Sequence, residues 1–329
     1  MPGNYVRGDA KIDNCAVFEK GSIKKGKLGL FRVSGNALTS NMRLERMMMQ
    51  FKIIGSGGCV STPKPTCQCR VCKEAREKGF PYARCGCSLY VEDINVLIDT
   101  PEDIVYSLNN SNIKTVDYIF YSHIDPDHTM GMRVVEQLRL DWLTYSIGKR
   151  CEEPITVGSL PQIMDDIRCQ STKYGSMLAY YETMNLVTTM PFQSLDIGSI
   201  HIELIPVDES HNVAIFVFTE KNNKVIYAPC DVKPFPQNAI FQDADSLIIG
   251  NTIVGDVLKS GFVLEKSNEL RKELFTMDEI VELKKALNIN KVVITHLEED
   301  WGKTYDDYLE LQNQYDGIEF AYDGLEISF

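Results

Sequence analysis

The sequence has 329 residues, 44% of them hydrophobic, so it can bury a substantial core, and its net charge at pH 7 is −12. This acidic balance argues against nucleic-acid binding by general attraction to phosphate. The sequence also lacks an apolar run of 18 residues that would span a membrane and an apolar N-terminal segment typical of a signal peptide. We therefore expect a cytoplasmic protein whose ten cysteines are reduced thiols available to metal.

Residues 1–46 differ in composition from the rest of the chain. They carry nine Lys and Arg against four acidic residues, a local charge of +5, and only short apolar runs. This composition predicts a basic N-terminal extension, either loosely ordered or folded as one or two added strands. No linker interrupts the remainder, so residues 47–329 are interpreted as one domain.

Strands and helices alternate along this domain. Apolar segments typical of strands occupy residues 51–54, 88–91, 95–98, 116–121, 200–207, 214–219, 224–227, 246–249 and 291–294. Helices are predicted from a start signal at Thr100-Pro-Glu-Asp103, over residues 129–140, and over residues 280–287 after a capping box at Thr276-Met-Asp-Glu279. This alternation predicts a layered α/β (α+β) architecture with its site along one sheet edge.

The strongest local signal is the hexapeptide His123-Ile-Asp-Pro-Asp-His128. Four potential metal ligands follow directly after an apolar strand: His123, Asp125, Asp127 and His128. Imidazole nitrogen and carboxylate oxygen suit zinc, manganese or iron. Because the sequence has only five histidines, the pairing of two of them with two aspartates favours a metal site over a chance polar loop.

Further polar residues follow predicted strands in the second half of the chain: His211, Asp231 and His296. In the loop of His211, Asp208 and Glu209 are alternative ligands. His201 alternates with apolar residues inside a strand and is interpreted as a structural histidine. Cys230, directly before Asp231, is assigned either to the core or to the lining of a pocket.

The order of these residues resembles the metallo-β-lactamase superfamily, whose pattern is His-x-His-x-Asp-His, then a single His, an Asp and a final His. The resemblance runs from about residue 51 to the end of the chain. It implies an αββα sandwich of the metallo-β-lactamase type with two metals. It further implies that one metal is bound by His123 and His211, that the other is bound by Asp127, His128 and His296, and that Asp231 lies between them.

The sequence departs from this pattern at Asp125, which stands where the second histidine belongs. An anionic oxygen ligand makes the first metal site harder and favours manganese or iron over zinc. A similar substitution, by Glu, marks the flavodiiron-type branch of the superfamily, whose metals perform redox chemistry. We therefore expect two divalent metals at the active site, drawn from manganese, iron and zinc.

A second metal signal is the segment Cys67-Gln-Cys-Arg-Val-Cys72. Its thiols, Cys67, Cys69 and Cys72, can coordinate one tetrahedral structural zinc together with one further ligand. The segment and the Gly-Gly pair before it resemble the PhnP-like phosphodiesterases and the PqqB-like proteins. The PhnP-like pattern implies a fourth ligand three positions after the last catalytic histidine, which is Glu299 here. Other cysteines stay open as alternatives: Cys59, Cys85 and Cys87.

These features predict a metal-dependent hydrolase in which Asp127 or Asp231 orients the nucleophile and relays a proton. The resemblance implies a phosphodiester or cyclic phosphate as substrate. The alternative is an iron-dependent oxygenase or oxidase on the same fold, which a carboxylate-rich site would suit. A zinc-stapled scaffold without activity is a third interpretation, but it leaves the ordered His and Asp residues unexplained. We expect a small anionic substrate and expect neither nucleic acid nor a membrane as a partner. The sequence leaves the oligomeric state open, and a homodimer is one of the possibilities.

Overall fold

The computed structural model describes residues 49–173 and 175–329. These residues belong to a single structural unit. The predicted basic extension over residues 1–46 lies outside the described residues, so its character and the boundary at residue 47 stay predictions.

Two seven-stranded sheets dominate the fold. The first sheet contains, in spatial order, β18 (Glu326–Ser328), β1 (Gln50–Gly55), β2 (Ser88–Val91), β3 (Val96–Ile98), β4 (Tyr118–Phe120), β5 (Ile155–Ser159) and β8 (Val187–Pro191). The second contains β17 (Ile318–Phe320), β16 (Lys291–Ile294), β13 (Ser246–Ile249), β12 (Asn223–Ala228), β11 (Ala214–Glu220), β10 (Ile200–Pro206) and β9 (Ser194–Ile197). Two short ribbons pair β6 (Ser171–Thr172) with β7 (Gly175–Ser176) and β14 (Thr252–Ile253) with β15 (Phe275–Thr276).

Helices connect and cover the sheets. They are α1 (Arg70–Lys78), α2 (Ile104–Asn110), α3 (Pro126–Thr129), α4 (Val134–Arg139), α5 (Trp142–Ser146), α6 (Pro161–Cys169), α7 (Met177–Thr183), α8 (Leu270–Glu273), α9 (Met277–Ala286) and α10 (Tyr305–Gln312). Short 3-10 turns occupy Glu92–Ile94, Met130–Arg133, Ala239–Phe241, Lys259–Gly261 and Glu299–Trp301. Within the described part of the chain, none of these helices has the length and apolarity needed to cross a bilayer.

The side chains of the second sheet alternate between two cores, because successive residues of a strand point to opposite faces. In β11, Phe216 and Phe218 pack in a cluster shared with the first sheet, and the Phe218 ring lies 5.3 Å from that of Phe51 in β1. The intervening Val217 packs instead with residues of α9 and α10. Helices α2, α4, α6 and α7 supply buried side chains on the side of the first sheet. The layers are therefore helix, sheet, sheet, helix, which is the predicted αββα sandwich.

Two predicted helices differ from the structure. The helix expected to start at Thr100 begins at Ile104, because Thr100 is engaged elsewhere: its hydroxyl lies 2.9 Å from the Tyr121 hydroxyl and its backbone N–H donates to the His128 carbonyl. The helix expected over residues 129–140 is divided between α3, a 3-10 turn and α4. By contrast, the capping box between Thr276 and Glu279 is present at the start of α9.

Truncation of Phe218 tests the contact between the sheets. Phe218→Ala should lower the free energy of unfolding by about 3–5 kcal/mol, because it leaves a cavity in the core of the sandwich. Urea unfolding followed by circular dichroism measures the change. Leu143→Ala, at a side chain that is 81% exposed in α5, is the control and should change stability by no more than about 0.5 kcal/mol. Equal effects of the two substitutions would contradict this packing.

Candidate metal centre

The predicted ligands follow strands that end at one edge of the fold. β3 runs parallel to β4, and β12, β13 and β16 run parallel to one another. His123 follows β4, Asp231 follows β12 and His296 follows β16. Because the carboxyl ends of parallel strands meet at the same edge, residues that are distant in sequence come together here. His128 and His296, which are 168 positions apart, have their Nε2 atoms within 3.3 Å.

Three overlapping groups of side chains have donor atoms within 4.8 Å of one another. They are Asp127–His128–His296, His123–Asp125–Asp231 and His123–His128–Cys230. The structure thus brings together all of the active-site ligands predicted from the sequence except His211. Their role as ligands stays a prediction.

A buried carboxylate, that of Asp99, organises two of the histidines. It accepts hydrogen bonds from the backbone N–H of Ser122 (2.8 Å), from the Ser122 hydroxyl (2.7 Å) and from Nδ1 of His128 (2.8 Å). Burial would lower the pKa of His128, but the charge and hydrogen bond of Asp99 raise it well above its usual value. Asp99 therefore fixes the orientation of the ring, as carboxylates behind metal-bound histidines do.

This network also determines which ring nitrogens carry protons. The Ser122 hydroxyl gives its single proton to Asp99 and so accepts from Nδ1 of His123, which lies 2.9 Å away. In the neutral ring of His123, Nε2 is then the nitrogen without a proton. The Nε2 atom of His123 is buried and has no hydrogen-bond partner among the described residues. A bound cation would satisfy it, so the donor set fits a metal.

The ring of His296 lies between two carboxylates. Its Nδ1 lies 3.3 Å from Oε1 of Glu298, and its Nε2 lies 3.4 Å from Oδ2 of Asp127. Burial would raise the pKa of Asp127, but the hydrogen bond from His296 and the charge of His128 bring it well below its usual range. The carboxylate is therefore ionised at neutral pH, which is the state in which it binds a cation.

Cys230 joins the site from the end of β12. Burial opposes ionisation of its thiol, but the charge of His296 and the proximity of the three histidines lower the pKa of Cys230 to about 5. The thiolate is the form of cysteine that binds metal. Gly250 permits this arrangement, because a Cβ there would lie 1.6 Å from the Pro229 carbonyl oxygen and 2.8 Å from Cβ of His296.

His211 lies apart from these groups. It follows β10 in an exposed loop, has a φ of +58° and belongs to none of the donor groups found among the described residues. Its neighbour Asp208 accepts hydrogen bonds from the backbone N–H and hydroxyl of Ser210 within the same loop. The sequence pattern thus favours His211 as a ligand, whereas the geometry places Cys230 beside His123.

Three residues at the site adopt backbone conformations that are rare outside glycine. Asp99, Asp231 and His296 have φ values of +63°, +53° and +52°. Each comes soon after the end of a strand, and a left-handed residue there turns the chain sharply. Asp and His adopt this conformation more readily than most residues, so these residue types suit the turns at this edge.

The cysteine segment forms a second donor group with Glu299. Oε1 of Glu299 lies 3.6, 3.0 and 2.9 Å from the Sγ atoms of Cys67, Cys69 and Cys72. The sulfur and oxygen ligands of a tetrahedral zinc lie about 3.5 Å apart, as follows from the usual bond lengths. Cys59, an alternative fourth ligand, instead contacts Glu298. Every cysteine within residues 49–173 and 175–329 is free.

Lys259 lies against this second group. Its ammonium is 2.6 Å from both carboxylate oxygens of Glu299 and 3.1 Å from Sγ of Cys67. Burial would raise the pKa of Glu299, but hydrogen bonds from Cys69 and Cys72 and the ammonium of Lys259 lower it to about 2. Three thiolates and a carboxylate exceed the charge of one zinc ion, and Lys259 offsets part of this excess.

Sequence reasoning missed several of these residues. Asp99 comes directly after a predicted strand, and Asp231 comes soon after another. This position could have identified Asp99 as a candidate site residue. Glu298 and Lys259 belong to no motif, and only the folded chain shows their contacts.

The sequence model of the beta-lactamase superfamily domain matches residues 94–297. This range spans more than half of the chain and includes all of the predicted active-site ligands. The chain belongs to this superfamily. The resemblance inferred from the motifs is confirmed, and the members of the superfamily are metalloenzymes.

Solved structures share the fold at low sequence identity. A diphosphatase from the PhnP family is 18% identical, with a TM-score of 0.60 over 86% of this chain and 98% of that one. Zn²⁺-bound PqqB from Methylobacterium extorquens is 16% identical, with a TM-score of 0.62 over 85% and 100%. The short form of human tRNase Z is 15% identical, with a TM-score of 0.54 over 85% and 98%. No curated protein matches the sequence.

Substitution of Glu299 tests the fourth position of the cysteine group. Glu299→Gln should lower the affinity for zinc by at least about 100-fold, because loss of a ligand costs more than loss of an outer partner. Zinc content after dialysis against a graded series of chelator concentrations measures it. Cys59→Ser is the control and should retain zinc. Zinc loss in Cys59→Ser with normal retention in Glu299→Gln would contradict the assignment.

Metal counting also decides between Cys230 and His211. From the geometry, Cys230→Ser should lose active-site metal, since it removes a thiolate next to His123 and His128, whereas His211→Ala should keep the wild-type content. Inductively coupled plasma mass spectrometry gives the metal per chain. His201→Ala, at a half-buried strand position paired with Asp196, is the matched control. Loss of metal in His211→Ala alone would restore the ligand set that the sequence implied.

Proposed function

We propose that this chain is a metal-dependent hydrolase with a dinuclear site and that it cleaves a phosphodiester or cyclic phosphate. The observation that carries the proposal is the adjacency of two donor groups, Asp127–His128–His296 and His123–Asp125–Asp231. Members of both groups line a single cavity of about 590 Å³. Membership in the superfamily and likeness to the PhnP-family diphosphatase support the reaction class.

Divalent cations held by these groups would supply Lewis-acid polarisation of a phosphoryl oxygen and a water of lowered pKa. The protein residues have separate tasks. Asp127, ionised and in contact with His296 and His128, would orient the nucleophile. Asp231 is exposed to the cavity, with Asn251 Nδ2 3.4 Å from its Oδ1, and in this proposal it accepts a proton.

A second candidate, an iron-dependent oxygenase or oxidase, is favoured by one observation. Asp125 lies in the same donor group as His123 and Asp231, so carboxylates replace imidazole nitrogen in the first site. Such a hard donor set favours iron or manganese over zinc. Oxygen consumption by iron-loaded protein, without hydrolysis of phosphodiesters, would support this alternative.

Hydrolysis of bis-(p-nitrophenyl) phosphate tests the proposal. Protein reconstituted with manganese or zinc should release p-nitrophenol, and Asp231→Asn should lower kcat/KM by about 10²- to 10⁴-fold, because it removes the proton acceptor. Asp316→Asn, at an exposed position, is the control.

Asp125→His separates the two candidates in the same assay. A hydrolase should keep or gain activity with zinc, because the substitution restores the superfamily pattern. An iron-dependent oxidant should lose oxygen consumption. Wild-type protein that consumes oxygen but cleaves no phosphodiester with any of the three metals would overturn the hydrolase proposal.

A further inference from the structure

The cavity beside the donor groups is lined by two chemically different sets of residues. One set is polar and was described above: Asp125, Asp127, Cys230, Asp231 and His296. The other set is apolar and is here called the apolar wall: Leu258, Phe262, Leu270, Leu274 and Trp301. Four members of the wall lie between β14 and β15, and the fifth lies in the 3-10 turn that contains Glu299.

The segment that carries the wall is held to the body of the protein. Its two ends pair as β14 and β15, with Thr252 opposite Phe275. Arg271 forms an ion pair with Asp256 across the segment. The ammonium of Lys233 donates to the backbone carbonyls of Arg271 and Leu274 at 2.8 and 3.0 Å. The wall is therefore a built surface of the cavity.

The wall leaves apolar surface open to solvent. The side chains of Phe262 and Leu270 are 58% and 42% exposed, although they line a cavity that also contains ionised carboxylates. Contact with an apolar ligand group would remove this surface from water, which is favourable in proportion to the area covered.

The cavity also lacks a free cation for a second anionic group. Among the described residues that line it, Lys259 alone has a lysine or arginine side chain, and its ammonium is engaged by Glu299 and Cys67. Glu298 and Asp300 add further carboxylates to the lining. A ligand with a second phosphate would therefore meet acidic groups beyond the donor groups.

We infer that the substrate of this site is a phosphodiester that carries a single anionic phosphate and an apolar alcohol group, aliphatic or aromatic, seated against the apolar wall. A nucleic acid or a diphosphate, with more than one anionic group, is disfavoured. This inference deepens the proposed function and rests on it for the reacting phosphate. The binding site for the apolar group is inferred from the apolar wall and does not depend on the reaction. A cavity of about 590 Å³ is within the usual range for a small ligand.

A binding measurement tests the wall without any reaction. The chain has two tryptophans, Trp142, which is 63% exposed in α5, and Trp301 in the wall. In Trp142→Phe, emission comes from Trp301 alone, and the metal-loaded protein can be titrated with n-alkylphosphonates from methyl to hexyl. Each methylene that is covered should tighten binding about fourfold. An affinity that does not change with chain length would overturn the inference. The apolar wall would then be assigned to a protein contact, such as one with a second copy of this chain.

Substitutions test whether the gain in affinity per methylene comes from the apolar wall. In the Trp142→Phe background, Phe262→Ser and Leu270→Ser should each reduce the gain per methylene to less than about twofold. Val263→Ser changes an apolar residue that is 52% exposed and adjacent to Phe262 but outside the cavity lining, so it should keep the full gain. The same slope in all three variants would also overturn the inference.

A matched pair of ligands tests the preference for a single anionic group. Hexylphosphonate should bind at least about tenfold more tightly than 1,6-hexanediphosphonate, which has the same chain with a second anion at its far end. Equal or tighter binding of the diphosphonate would overturn this part of the inference.

Kinetics with alkyl p-nitrophenyl phosphates distinguish the two proposals. An increase in kcat/KM with alkyl length, parallel to the binding series, supports both. If binding tightens with chain length but no ester is cleaved, the hydrolase proposal fails and the apolar seat stands. If the esters are cleaved but neither binding nor kcat/KM depends on chain length, the apolar seat fails and the hydrolase proposal stands.

Discussion

The hydrogen bonds of the buried Asp99 carboxylate are the interaction on which the geometry of the candidate metal centre depends. The carboxylate is fully buried and accepts three hydrogen bonds, two from Ser122 and one from His128. Through Ser122 it also sets the proton position on His123. A buried charge without these partners would be costly, so the same contacts that satisfy Asp99 orient both rings. The loop after β4 and the end of β3 are thereby joined by hydrogen bonds.

A single loop after β16 contributes residues to the active-site donor groups, to the cysteine group and to the cavity. His296 belongs to the active-site groups, and Glu298 contacts its Nδ1. The next residue, Glu299, contacts all three thiols of the cysteine segment, and Trp301 forms part of the apolar wall. A change in this loop would therefore affect the cysteine group, the position of His296 and the shape of the cavity together. This explains how a structural metal at the cysteines would support catalysis without touching the substrate.

The αββα architecture could be predicted because its signals are local or ordered along the chain. Strands such as 88–91, 246–249 and 291–294 occur with the predicted bounds, since these apolar runs are shorter than most helices and are flanked by turn residues. The helix predicted from Thr100 is present but begins at Ile104, because the hydroxyl that would cap it bonds to Tyr121, a partner more than twenty residues away. A local helix-capping preference is overridden where the capping side chain forms a tertiary hydrogen bond instead.

The sequence by itself determined the superfamily, the layered architecture and the residues with the chemistry to bind metal, because ligand type, spacing and order are properties of the chain. Tertiary structure alone decided which of these residues meet. It placed Cys230 among the histidines and left His211 exposed, and it brought Asp99, Glu298 and Lys259 to the donor groups. It also made an apolar wall from residues with no motif. Contacts between side chains far apart in sequence depend on how strands and loops pack in three dimensions, and no local pattern records that packing.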